Sequence, residues 1–378
     1  MDDSNLRWEP YFIRNGNDFY SFWEYFLSAK KRNILYVVGK GFDPRMCSGI
    51  NAILDIGGDG RRDCLLIDYD EGRNSPSRKH LDLVKGNQSK LECKLKDRGE
   101  LITKSIKMWS DSGPGMHRIS SISAARLFSS INDMNGYTDI LIDISAMPRS
   151  IYFSLIGKVL YILDNVTDST VKRPNLHVIV SEAVEIDKQI TDAGIDENAA
   201  YIHGFGGLET ESTEGISKIW IPILGEGRQG LLERIHTFVN PDEICPILPF
   251  PSSNPRRGDD LFIEYRELLF DQWRIDPKNI IFASERNPFE AYRQIYKTTC
   301  HYNKALEPLQ GTKTVVSDVS SKLLSIGALL ATYELKMKEY RIGLAHIEAL
   351  GYDINNYLNE EEIEQELFTL WISGECYE

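Results

Sequence analysis

Residues 139–163 read DILIDISAMPRSIYFSLIGKVLYIL, and this stretch decides the fold class. The apolar run from Asp139 to Ile144 has the length of a buried strand, not of a helix. Asp143, Ser145 and Arg149 mark its exit, and from Pro148 onward the pattern is that of an amphipathic helix. A strand that passes to a helix through a few polar residues is half of a βαβ unit.

Working outward, the same alternation recurs. NILYVV (33–38), CLLIDY (64–69) and LHVIVS (176–181) are apolar runs of strand length. KIWIPIL (218–224), ICPILPF (244–250), NIIFAS (279–284), TKTVVS (312–317) and YRIGLAHI (340–347) follow. Most are apolar on both faces, as parallel strands covered by helices on each side must be. Helical periodicity fills the intervals, as in FYSFWEYFLSAKK (19–31) and SSKLLSIGALLATYELKMK (320–338). The expectation is an α/β chain with doubly wound, mainly parallel Rossmann-like sheets. Segments 85–117 and 182–216 fit the alternation poorly and read as insertions, and YLNEEEIEQELFTLW (357–371) reads as an acidic helical tail.

At 378 residues the chain has room for two domains, expected at 1–240 and 241–378. The halves echo each other. VVGKGFDPRM (37–46) pairs with LPFPSSNPRRGDD (248–260), and Asp143, Ser145 and Arg149 pair with Asp318, Ser320 and Lys322. Tandem duplication of one Rossmann-like unit accounts for this, and one long sheet with coincidental turns is the alternative.

Hydrophobic residues make up 42% and charged residues 26%, proportions of a globular protein. No apolar stretch approaches the roughly 18–20 residues of a membrane span. The opening MDDSNLRWEP is unlike a secretion signal, so a cytoplasmic protein without a membrane partner is expected. A net charge of −13 disfavours general binding to duplex nucleic acid, whose phosphates call for a basic surplus. The six cysteines form no CxxC pair and read as small buried hydrophobes, with no metal site.

Ligands of doubly wound sheets bind beyond the carboxyl ends of the strands, so the loops there hold the candidates. GKGFDPR supplies Gly39, Lys40, Gly41, Asp43 and Arg45. Its glycines let backbone approach a ligand, and its cations suit phosphate oxygens. Pro44 stands where a third glycine would complete the dinucleotide fingerprint, so a tight turn capped by Asp43 is the other reading. IDYDEGR supplies Asp68, Asp70 and Glu71, an acidic group suited to ribose hydroxyls, to magnesium, or simply to solvent. Asp143 and Ser145 are expected to cap the helix from Pro148, where Arg149 adds a charge with bidentate reach. His203, in YIHGFGG, is the best-placed acid/base candidate among dispersed histidines.

Strand, Asp-x-Ser, short loop, basic residue and helix together resemble the ligand-binding motif of CRISPR-associated Rossmann-fold sensor domains. In those domains the motif runs Asp-x-Thr-Gly-Gly-Thr-Lys; here AMP replaces the Gly-Gly-Thr after Ser145, and a single serine replaces it after Ser320. The resemblance implies a cyclic oligonucleotide ligand, a role in prokaryotic antiviral defence, and binding positions at Asp143, Ser145, Arg149, Asp318, Ser320 and Lys322. The expected function is binding of a nucleotide or nucleotide-derived signal. One alternative is a nucleotide hydrolase using Asp68 or Asp70 with His203. Another is a scaffold subunit that works through a protein partner or a second copy of itself. No motif names a cofactor.

Overall fold

The computed structural model describes residues 6–72, 75–110, 117–206, 215–354 and 364–377. The first stretch of chain forms β1 (Phe12–Asn15), α1 (Asn17–Ala29), β2 (Ile34–Gly39), α2 (Ser48–Ile56) and β3 (Arg62–Asp70). Then come α3 (Leu81–Leu95), β4 (Leu101–Lys107), α4 (Ser120–Ala125), β5 (Asp139–Asp143), α5 (Arg149–Asp164), β6 (Asn175–Glu182) and α6 (Val184–Gln189). The chain continues through β7 (Ala200–Tyr201), β8 (Lys218–Ile223), α7 (Gln229–Val239), β9 (Ile247–Pro249), α8 (Arg257–Arg266) and β10 (Ile281–Ala283). It ends with α9 (Pro288–Ala305), β11 (Lys313–Asp318), α10 (Lys322–Met337), β12 (Ile342–His346) and β13 (Glu366–Ser373).

Two compact units result. Pro10–Ile195 with Ala349–Glu378 make the first, and Met1–Glu9 with Asp196–Glu348 the second. The sheet of the first has the order β1-β13-β6-β5-β2-β3-β4. From β6 to β4 all neighbours are parallel, while at the other side β13 pairs antiparallel with β6 and β1 antiparallel with β13. Numbered as they occur, the five parallel strands lie in the order 5-4-1-2-3. The second sheet, β7-β12-β11-β8-β9-β10, repeats that order in β12 to β10 and again adds an antiparallel strand beyond the fifth. This is the Rossmann-like doubly wound arrangement, built twice.

The division falls at residue 195 and again at 348, not at 240. The reason is β8, which pairs with both β9 and β11 and so forms the centre of the second sheet. Segment 85–107 is not an insertion: it completes α3 and supplies the third parallel strand. Its β4 is an edge strand exposed along most of its length, which explains the lack of an apolar run. Of the other expected insertion, 182–195 forms α6 and a short strand Ile190–Asp192 paired with Tyr352–Ile354. Residues 111–116 and 207–214 lie outside the described residues. The expected acidic tail helix is in part a strand. Leu367, Phe368, Leu370, Trp371 and Ile372 are buried in β13 between β1 and β6, and 355–363 lie outside the described residues.

The α5 helix is buried round most of its circumference, with Ile151, Leu155, Ile156 and Leu160 fully covered. It is therefore a core helix, not an amphipathic one. Each such side chain contributes about 1.5–3 kcal/mol by leaving water. At the amino ends of the first sheet's strands, His177 lies among Trp23, Phe26 and Trp371, with ring centroids 5.1, 5.5 and 5.0 Å away. Its Nε2 is 3.6 Å from Asp139 Oδ1, which also accepts from Asn175 Nδ2 at 2.8 Å and Arg32 Nη1 at 3.4 Å. Burial holds the imidazole below its ordinary range, and the Asp139 carboxylate only partly opposes this. Among the described residues, no helix is long and apolar enough to cross a membrane.

Candidate functional site

In each unit the strand order reverses between the first and fourth parallel strands, where a doubly wound sheet opens a crevice. In the first unit those strands are β2 and β5, followed by residues 40–47 and 144–148. Gly39 is needed there: a Cβ would stand 2.0 Å from Tyr69 Oη and 3.0 Å from Met147 Cγ. Gly41 faces Ala146, with room for a Cβ 3.8 Å from the Ala146 carbonyl oxygen. Among the described residues the Gly41 N–H donates only to Met46 Sδ, at 3.4 Å, and a thioether is a weak acceptor.

The side chains around this loop are placed differently from expectation. Lys40 Nζ lies 3.2 Å from Asp68 Oδ1, joining the ends of β2 and β3 in a partly exposed ion pair. Arg45 is not available to a phosphate. It is 3% exposed, with Nη2 2.8 Å from Asp43 Oδ2 and Nη1 2.7 Å from Asp187 Oδ1. Burial alone would lower its pKa, but the two carboxylates more than offset that and hold it charged. Asp43 also accepts from the Arg45 N–H at 2.9 Å, so the tight-turn reading of this carboxylate is the observed one.

Asp143 and Ser145 do not cap α5. Asp143 Oδ1 accepts from the Ser145 N–H at 2.9 Å and from its hydroxyl at 2.5 Å, and Ser145 Oγ accepts from the Ser181 N–H at 2.8 Å. The pair thus clasps the end of β5 to the end of β6. The helix starts only after Ala146, Met147 and Pro148, with Pro148 at the N-cap and no side-chain cap bond. Arg149 is its first residue and is partly buried. A cation at this end opposes the helix dipole.

The second unit repeats the turn. Asp318 Oδ1 accepts from the Ser320 N–H at 3.2 Å and from the Ser320 hydroxyl. Ser321 caps α10 through the Leu324 N–H, and Lys322 is the first residue of the helix. The loop equivalent to GKGFDPR is, however, LGEGRQG (224–230), because β8 and not β9 is the first strand. By its Gly-x-Gly pattern Gly225-Glu226-Gly227 is the counterpart of Gly39-Lys40-Gly41, set one residue further past its strand, since Val38 pairs with Asp143 and Ile223 with Asp318. Gly225 is as crowded as Gly39, since a Cβ would sit 2.2 Å from the Val319 carbonyl oxygen. Here the donors are taken: Gly227 N–H donates to Glu264 Oε1 at 2.8 Å, and Arg228 N–H to Tyr265 Oη at 3.0 Å. Glu226 lies 3.1 Å from Arg257 Nε, and Arg257 also pairs with Glu285.

Asp70 and Glu71 are engaged in local turns. Asp70 Oδ1 accepts from the Gly72 N–H at 3.2 Å, and Glu71 holds the Ser75 hydroxyl. Among the described residues, no group of three His, Cys, Asp or Glu side chains could hold a metal ion. His203 is exposed in a turn of the second unit, and Asp68 and Asp70 are residues of the first. Cys47, Cys64, Cys245 and Cys300 are buried thiols, and Cys93 and Cys376 are exposed. Sequence reasoning passed over Met46, Glu264 and Tyr265. The one signal that could have led to the last two was the second Gly-x-Gly after a strand.

No protein-family model and no curated protein matches the chain. Among solved structures, it is similar to a protein of unknown function from Pseudomonas aeruginosa PAO1, at 12% identity and TM-score 0.21, over 83% of this chain and 92% of that one. It is also similar to precorrin-6y C5,15-methyltransferase from Geobacter metallireducens, at 10% identity and TM-score 0.21, over 53% and 88%. NadR in complex with NAD and AMP-PNP is similar at 11% identity and TM-score 0.25, over 83% and 90%. At such TM-scores these likenesses carry no weight, and the Rossmann-like character of the chain rests on its strand order.

Proposed function

We propose that this protein binds a nucleotide or nucleotide-derived anion at the switch point of its first unit, one ligand per chain. The observation that carries this is the contrast between the amides of two similar Gly-x-Gly loops, one at each switch point. Gly227 N–H already has a carboxylate, Glu264, whereas Gly41 N–H has only the Met46 sulfur. A backbone donor turned to a weak acceptor beside a glycine-opened crevice is what an incoming oxyanion needs. Lys40, which an anion would draw from Asp68, and Arg149, at the start of α5, would supply the positive charge. Asp68, at the end of the second parallel strand, is where such folds receive ribose hydroxyls. The second unit, with Glu226, Glu264 and Glu285 around the same loop, keeps the fold and takes no anion.

A role in antiviral defence, with a cyclic oligonucleotide as the signal, follows from the resemblance of the Asp-x-Ser turn and its basic residue to sensor domains. It is part of the same proposal. Thermal-shift measurements with mono-, di- and cyclic nucleotides test it, because a ligand at a hundred times its Kd adds about 2.7 kcal/mol of stability. A shift with at least one nucleotide, larger than with its nucleoside at equal concentration and without product formation, is the expected result. No shift with any of them removes the proposal.

A further inference from the structure

We infer that a cavity beside this switch point receives the base of the ligand and reads its edge through three amide side chains. The inference rests on the nucleotide reading above. The cavity, about 330 Å³, lies within the first unit between the start of α2, α3, α6 and the chain entering β13. That volume is at the lower end of the range for small-molecule sites, roughly 300–1,000 Å³.

Each of its amides has one end taken up, hydrogen-bonded in two of them and buried without a partner in the third. Asn87 donates its Nδ2 hydrogens to the carbonyls of Gly41 and Asp43, at 3.0 and 3.2 Å, which leaves Oδ1 as its acceptor. Gln365 uses Oε1 to accept from the Ser48 and Ser181 hydroxyls, at 2.7 and 3.0 Å, which leaves Nε2 as its donor. Asn51 buries Oδ1 with no protein donor, so its Nδ2 is the end that can meet a ligand. The set is one acceptor and two donors, a pattern that reads hydrogen-bonding edges and not a charge.

The charge inventory agrees. Arg45 lines the cavity, but Asp43 and Asp187 match its charge, and Lys90 stands exposed on the surface of α3. Ile186, Leu367 and Ala52 give apolar walls, and the Tyr20 ring, 43% exposed, supplies an aromatic surface. A flat, neutral, heteroatom-edged body between apolar walls is a nucleobase. Asn87 ties this cavity to the phosphate side directly, because one of its two bonds is to the Gly41 carbonyl.

Free adenosine, guanosine, cytidine and uridine, which carry no phosphate, test the inference by saturation-transfer NMR on the full chain. Binding of at least one nucleoside is expected, weakened roughly three- to tenfold by Gln365→Leu or Asn51→Leu and unchanged by Glu264→Gln in the second unit. Gln365 is exposed but holds the buried Ser181 hydroxyl, so the melting temperature of each variant is measured to confirm that it folds. The cavity assignment falls if no nucleoside binds at millimolar concentration, or if both leucine variants bind as the wild type does. Nucleotide binding that survives both leucine variants but not Arg149→Ala would remove the cavity and keep the switch point. Nucleoside binding to which phosphate adds nothing would do the reverse.

Discussion

Replacing Ser145 with alanine should destabilise the first unit far more than the same change at Ser320 destabilises the second. The two serines sit in the same Asp-x-Ser turn, but Ser145 is fully buried and Ser320 is not. Ser145→Ala removes a hydrogen bond to the Asp143 carboxylate, costing about 1.5–3 kcal/mol, and strands the Ser181 N–H, costing about 1–3 kcal/mol. Because one hydroxyl makes both bonds, the effects overlap, and the expected total is about 3 kcal/mol. At Ser320 water can replace the lost donor, and about 1 kcal/mol is expected. Urea unfolding gives the sizes, and amide exchange over residues 175–182 locates the first loss at β6. Equal losses in the two variants, or a loss under about 1 kcal/mol for Ser145→Ala, would refute the clasp between β5 and β6.

Other outcomes follow from the same geometry. Gly225→Ala should cost about 2–3 kcal/mol, because its Cβ meets the Val319 carbonyl oxygen, a backbone atom that cannot rotate away. Gly41→Ala, with only ordinary contacts at 3.8 Å, should leave the melting temperature within a degree or two and weaken nucleotide binding. Stability should fall as pH drops below about 6.5, because the unfolded chain protonates His177 while burial keeps the native imidazole neutral. His177→Asn should flatten that slope between about pH 7.5 and 5.5 in thermal melts. A variant that keeps the full slope would assign it to another group. Below about pH 4 a second loss is expected from Asp139: burial would raise its pKa, but His177, Thr138 and Arg32 together outweigh that and lower it.

Much of the fold was legible because its parallel strands are buried on both faces, and burial leaves an apolar run that can be read locally. Nine such runs appear as strands. What escaped was set by distant partners. The β4 strand is exposed at the sheet edge and carries no apolar signature, and β13 is a strand only because β1 and β6 flank it. The unit boundary depended on the pairing of β8 with β9 and β11, which no local pattern records. At the site, Asp-x-Ser after the fourth strand of each unit was visible, but its role was not. The Ser181 amide that engages Ser145 is 36 residues away, and Asp187, which neutralises Arg45, is 142 residues from it. The charge of Arg45 was plain from the sequence; its burial against two carboxylates was not.

Isothermal titration calorimetry of the full chain with the nucleotide that gives the largest thermal shift, repeated on Arg149→Ala and on Glu264→Gln, tests the central claim most directly. The account predicts one site per chain, an affinity lowered at least tenfold by Arg149→Ala, and no loss of that site in Glu264→Gln. Saturable binding that Arg149→Ala leaves intact, or two equal sites in the wild type, would contradict it.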